Sequence, residues 1–300
     1  SGKRYFGTDA GEVGHDDEGQ RFKKLIRESF DLSGTTNPVD FLPVLRWVDF
    51  SGLEGRMWAA HKGTDEFFQR LCLTEEHRSS YGEREGSNEK TMIDTMLSLQ
   101  EAEPQVYIDE IIKGQIMTMI LAGTDSSADT MEWGMSLLLN HPEILHKARA
   151  ELDNVIGNDR LVQEWPLLMP HESLEDCVIG GYPIPKQTML LVNAWAIHRD
   201  PAVWEEPTRF WPERHAAGVE PDGRKYLPFG VGRRSCPGYG LPYRVVSAAL
   251  GALIQCFEWE RVGEELVDMT EGIGLIMPKA EPLKALCKPR ECMRNVFITM

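Results

Sequence analysis

Between Tyr226 and Gly240 the chain reads YLPFGVGRRSCPGYG, the densest cluster of chemically capable residues in the sequence. Cys236 follows a glycine-bearing, arginine-rich loop and stands just before an apolar run of helical spacing that begins near Leu241. Gly230 and Gly232 permit backbone geometries and close approaches that a Cβ would block. The helix start beyond Cys236, with Arg233 and Arg234 beside it, favours thiolate over thiol. A sulfur so placed is a metal ligand or a nucleophile. A buried cysteine in an ordinary loop and a glycine-rich loop that holds a phosphate are the plainer alternatives.

Other candidates lie upstream. Ala122-Gly123-Thr124-Asp125-Ser126-Ser127 places an acid and hydroxyls inside an otherwise apolar helical run. Ser and Thr there can bond back to the carbonyl four residues earlier, bend the helix and open room for water or ligand; simple packing against a neighbouring helix is the alternative. The segment FWPERH, Phe210 to His215, reads by itself as a solvated turn. His171 sits in the strand-like PHES, and His198, in NAWAIHRDPAVW, reads as structural.

The elements that must position these residues follow from periodicity. Phe22, Leu25, Ile26 and Phe30 recur at helical spacing between Gly19 and Asp31, and a second helix is expected within FLPVLRWVDFSGLEGRMWAAHKGTDEFFQRL. The polar TEEHRSSYGEREGSNEKT reads as a loop. A long central helix is expected from about Pro104 to Leu139, spanning roughly 50 Å at 1.5 Å per residue. Pro142 then opens another helix, which Gly157 would stop. From about Glu172 the texture turns β-leaning, with Gly180-Gly181 and Pro183-Ile184-Pro185 as turns. A helix from about Leu241 to Phe257 and a tail hairpin in EGIGLIMPKAEPLKALCK complete a mainly α fold with a small β part.

Composition narrows the partners. Three hundred residues with 42% apolar content can bury a sizeable core, and no linker or repeat divides them, so one domain is expected over 1–300: a helical region at about 19–157 and a loop- and β-containing region at about 170–300. Thirty-two Lys and Arg against 47 Asp and Glu give a formal charge of −15, which argues against nucleic acid. Cys72, Cys177, Cys236, Cys256, Cys287 and Cys292 form no Cys-x-x-Cys pair, which argues against structural zinc and for a reducing compartment. The charged residues in and around the central apolar run, Asp109, Glu110, Lys113, Asp125, Asp129 and Glu132, make it a poor membrane span. A first residue that is Ser1 leads to the expectation of a chain cut from a longer polypeptide.

The spacing Phe229-x-x-Gly232-x-Arg234-x-Cys236-x-Gly238 reproduces every fixed position of the haem-ligand signature, and on it the chain resembles the cytochrome P450 family. The Ala122–Ser127 segment resembles the family's oxygen-activating groove, and Asn193–Trp204 with Phe210–His215 resembles the stretch that ends in Phe-x-Pro-Glu-Arg-Phe. By that resemblance haem b is the cofactor and Cys236 the axial thiolate on its iron, with Phe229 beside the sulfur and Gly230 and Gly238 in the haem loop. Arg234, and His171 after it, would meet haem propionates, while Asp125 and Ser126 would pass protons toward dioxygen. FLPVLRWVDFSGLEGRM and CFEWERVGEELVDMTEGIGLIMPKAEPL look most like plant microsomal members that oxidise isoflavones and lignans. The resemblance implies a monooxygenase acting on an apolar secondary metabolite and O2, fed by NADPH-cytochrome P450 reductase. It also implies an N-terminal anchor, absent here, in the endoplasmic reticulum membrane, with the domain on the cytosolic face.

The departures are specific. Ser126 stands where the family usually has threonine, His215 replaces the closing phenylalanine, and Pro242 is tolerable only in a first helical turn. The helix that should carry Glu-x-x-Arg is missing: between Asp159 and His171 the chain reads DRLVQEWPLLMPH, with Glu164 and no arginine three residues on. Arg214 thereby loses its acidic partners and is expected either to lie exposed or to weaken the fold. The rival reading is a non-catalytic remnant with impaired haem binding; a third makes Cys236 a nucleophile without haem, for which no nearby histidine offers a base.

Overall fold

The structure, a computed structural model, describes residues 15–35, 37, 39, 42, 44, 45, 52–72, 91–154, 169–215, 225–274 and 276–293. The loop expected at TEEHRSSYGEREGSNEKT, Thr91 apart, and the stop at Gly157 fall outside them. The chain divides into two compact units that part between Asp125 and Ser126.

The first unit holds α1 (His15–Ser33), α2 (Leu53–Cys72), α3 (Met92–Ala102) and the start of α4 (Asp109–Asn140). Helix α3 begins with a capping box: the Thr91 hydroxyl accepts the Asp94 amide at 3.2 Å, and Asp94 Oδ2 accepts the Thr91 amide at 2.7 Å. The Glu103 amide closes α3 on Leu99, and Pro104 cannot continue it. The Val106 and Tyr107 amides then turn back on the Glu103 carbonyl, each at 3.0 Å, and the long helix starts after this turn, at Asp109 rather than near Pro104. Phe67, Phe68, Ile93, Leu97, Ile112 and Ile116 form the core, with Phe22 and Leu25 of α1 packed on it. Helices α1 and α2 come close at Gly63, where a Cβ would stand 2.8 Å from Leu25 Cδ2. The buried Lys113 ammonium is met by Asp65 at 2.5 Å, which relieves the cost of burying the charge.

The second unit takes the rest of α4, then α5 (Pro142–Asn154), β1 (His171–Glu172), β2 (Cys177–Ile179), β3 (Tyr182–Ile184), β4 (Met189–Leu190), α6 (Ala194–His198), α7 (Gly240–Cys256), β5 (Phe257–Arg261) and β6 (Ala285–Pro289). Its core is Met135, Leu138, Leu145, Val246, Leu250 and Ile254, where α4, α5 and α7 meet. The strands form three antiparallel pairs, β1–β4, β2–β3 and β5–β6. Gly180 and Gly181, at φ +58° and +87°, make the tight turn of the β2–β3 hairpin as expected from their dipeptide. The tail differs from expectation. Glu271 bridges Lys279, but Ala285–Pro289 pairs with Phe257–Arg261, the segment that follows α7. Asn140 fastens the intervening chain by exchanging bonds with the Val267 amide and carbonyl at 2.8 and 2.9 Å.

Among the described residues no helix is long and apolar enough to cross a membrane.

Candidate functional site

The loop before α7 is closed on itself by its backbone. The Leu227 carbonyl accepts the Gly230 amide at 3.1 Å, and the Phe229 carbonyl accepts the Cys236 amide at 2.8 Å. Gly230 and Gly232 sit at φ +65° and +74°, in the left-handed region that a Cβ disfavours, so both turns need glycine. Gly232 opens a 3-10 turn through Arg234, sealed by the Ser235 amide on the Gly232 carbonyl at 3.1 Å. After Cys236 the chain turns again, the Leu241 amide reaching Gly238 at 2.9 Å, and enters α7 at Gly240. Pro242 is the third residue of that helix, where the missing N–H would have had no helical partner.

This backbone presents a half-buried Cys236 with Phe229 behind it, the Phe229 ring 5.0 Å from that of Tyr243 on α7. A Cβ on Gly238 would stand 3.9 Å from Cys236 Sγ, at ordinary van der Waals distance, so Gly238 lies directly beside the sulfur. Arg234 is exposed and has no ion pair among the described residues.

Five of the candidates, Phe229, Gly230, Arg234, Cys236 and Gly238, therefore share one loop. His171 stands elsewhere, half-buried on β1 opposite Leu190, and no hydrogen bond or ion pair joins its side chain to the loop among the described residues. Asp125 and Ser126, both half-buried, lie on α4, which runs unbroken through the Ala122–Ser127 segment. Just beyond it the Thr130 hydroxyl donates to the Ser126 carbonyl at 2.6 Å, a back-bond of the kind expected here. Burial lifts the Asp125 carboxyl above the usual carboxylate range; Arg27 opposes the shift and Asp31 adds to it.

Sequence reading underestimated the support behind the loop. His198 is buried, and its Nε2 accepts the Leu227 amide at 2.9 Å. Tyr226 stacks between His198, 5.7 Å away, and His215, 4.8 Å away, and Trp204 closes the cluster while its indole N–H holds the Ile197 carbonyl at 3.0 Å. His198 and Trp204 stand together in NAWAIHRDPAVW, but nothing in that segment told which loop they would back.

Arg214 is half-buried and its guanidinium donates to the carbonyls of Glu205 and Glu206, the latter at 2.9 Å, while lying 5.1 Å over the Trp211 ring. It is neither unpaired nor fully exposed, because carbonyl oxygens and an aromatic face stand in for the missing carboxylate. Its neighbour Glu213 pairs instead with Lys147 of α5.

A model described as Cytochrome P450 matches residues 6–165 and 160–284. The chain belongs to the cytochrome P450 family. The two matched stretches meet in DRLVQEWPLLMP, where Glu-x-x-Arg is missing. Haem b is the cofactor that membership implies. A cytochrome P450 of Catharanthus roseus is 52% identical over 99% of this chain and 61% of its own length. The (+)-piperitol/(+)-sesamin synthase of Sesamum radiatum is 48% identical over 99% and 61%, and an isoflavone 2'-hydroxylase of Medicago truncatula 44% over 99% and 62%. These relatives group the chain with plant P450s, as the sequence resemblance implied, and it spans about three fifths of their length. A zebra fish cytochrome P450 solved with progesterone superposes at a TM-score of 0.72, with 24% identity over 94% of this chain and 67% of that one. The fold is thus the mainly α P450 fold with its small β part.

Proposed function

We propose that this chain carries the haem-thiolate centre of a monooxygenase that inserts one atom of O2 into an apolar plant secondary metabolite. The observation that carries the reading is the self-closed loop of Tyr226–Gly240, which holds Cys236 between two glycine turns and a helix start. The donor set fits haem b: one thiol for the iron, and an exposed arginine with no carboxylate partner among the described residues for a propionate. When bound, the haem supplies the activation of O2 that no side chain can provide.

The protein's part is to hold and to protonate. Cys236, its amide tied to the Phe229 carbonyl, would hold the haem iron through its sulfur, with Phe229 beside it in the loop. Gly230 and Gly238 would belong to the loop that receives the haem, and Arg234, with His171, would meet the propionates. Asp125 holds a proton at higher pH than an ordinary carboxyl, which suits a group that passes protons on through the Ser126 hydroxyl. The relatives' names, an isoflavone hydroxylase and a sesamin synthase, favour an oxygenated aromatic substrate. In the whole protein, on this reading, the electrons would come from NADPH through cytochrome P450 reductase, with the domain held on the cytosolic face of the endoplasmic reticulum.

One observation favours a second reading, a remnant that binds haem poorly: no Glu-x-x-Arg lies between Asp159 and His171. Reduction of the haem-supplied chain under carbon monoxide separates the two. A strongly red-shifted, thiolate-type Soret band that Cys236→Ala abolishes is the expected result; absence of haem uptake selects the remnant.

A further inference from the structure

The haem loop has a support that none of the proposed haem-site residues provides. Leu227, at the head of the loop, is buried, and its amide donates to Nε2 of the buried His198 at 2.9 Å. The same residue's carbonyl accepts Gly230, and two residues further on the Phe229 carbonyl accepts the Cys236 amide. A short series of backbone bonds therefore leads from the imidazole to the cysteine. His198 itself is the last residue of α6, whose start is capped by the Asn193 side chain on the Ala196 amide at 2.9 Å and whose Ile197 carbonyl is held by the Trp204 indole. The imidazole is thus fixed from behind and can fix what lies in front.

Resting on the haem-thiolate reading, we propose that His198 is the positioning residue of the Cys236 loop, its unprotonated Nε2 holding the Leu227 amide and so setting where the cysteine stands. Only a neutral ring can do this, since a protonated imidazole has no acceptor nitrogen. Burial, and then the charge of neighbouring Arg199, hold its proton affinity below the ordinary imidazole range, which keeps the acceptor available at neutral pH. The titratable and charged groups around it are Arg199 on its own turn, the Tyr226 phenol from the loop and, beyond Tyr226, the His215 imidazole. An anchored loop of this kind predicts that acidification releases the cysteine before the fold is lost.

The test compares the haem-supplied chain with His198→Gln, which keeps an acceptor of similar reach, and His198→Phe, which keeps the ring and loses the acceptor. Two quantities are read between about pH 5 and pH 8: the share of thiolate-type band in the reduced carbon monoxide spectrum, and amide hydrogen exchange over residues 227–236. His198→Phe is expected to lose most of the thiolate-type band and to exchange about tenfold faster in this segment, as for one lost buried bond. His198→Gln is expected to retain both, and to escape the loss that wild type shows on acidification. Equal spectra, exchange and pH profiles in wild type and His198→Phe would overturn the proposal, as would a glutamine variant no better than phenylalanine. Should His198→Phe not fold, His198→Asn, too short to reach Leu227, takes its place against glutamine. If wild type gives no thiolate-type band, the haem-thiolate reading fails by itself, and exchange at Leu227 still decides whether His198 anchors the loop.

Discussion

Arg214 meets its charge with carbonyl oxygens and an aromatic face, and this defines what substitution should do there. Lysine keeps the charge but cannot serve two carbonyls while lying flat over Trp211. Arg214→Lys is expected to lower stability by about 1–2 kcal/mol in urea unfolding. Asp125 should behave in the opposite sense. Its folded proton affinity is raised, so the ionised carboxyl is disfavoured in the fold, and that penalty grows as pH rises from the unfolded value through the raised folded one. Asp125→Asn is therefore expected to melt no lower than wild type near pH 7, with the gap widening in its favour from about pH 4 upward, while oxygenation slows. A lower melting temperature would mean that Asp125 makes a stabilising contact. Spacing alone singled out Cys236 as the candidate for haem iron. The environment of Arg214 was not, because its acceptors are backbone atoms of residues whose side chains carry no such signal.

Among the elements, α4 and α5 followed from periodicity, with Pro142 opening the second of them. The β2–β3 hairpin followed from Gly180-Gly181. The pairing of β5 with β6 did not, since the two strands are joined across a long intervening segment; Trp259 of β5 and Leu283, just before β6, pack on the same core. The α1–α2 crossing is another fact of packing. Gly63 is there because Leu25 needs its space, so Gly63→Val is expected to destabilise the first unit by about 1–3 kcal/mol. Trimming the neighbour in Gly63→Val/Leu25→Ala should recover part of that loss, a coupling that unfolding measurements on the double-mutant cycle would reveal.

At the scale of the molecule, an excess of acids is partly organised into long-range ties in the second unit. Asp153 takes both guanidinium nitrogens of Arg290 at 3.0 and 2.9 Å, and Glu213 pairs with Lys147. The hydrogen bond from Arg290 holds the Asp153 carboxyl below the usual range, and that from Lys147 does the same for Glu213. Groups with lowered folded values stabilise at pH above their unfolded values, and the contribution disappears as pH falls through the folded ones. The unfolding midpoint should accordingly fall on acidification below about pH 4.5, and Asp153→Asn with Glu213→Gln should flatten that slope.

Spacing alone was enough for the family and most helices, because each depends on residues close together along the chain: a glycine at a left-handed position, a proline at a helix start, an apolar repeat. Tertiary structure decided what those residues lean on. That His198 anchors Leu227, that carbonyls satisfy Arg214 and that Lys147 takes Glu213 are consequences of segments packing across tens of residues. A buried polar atom must find a partner, but composition does not say which one, and only the folded arrangement brings that partner within reach.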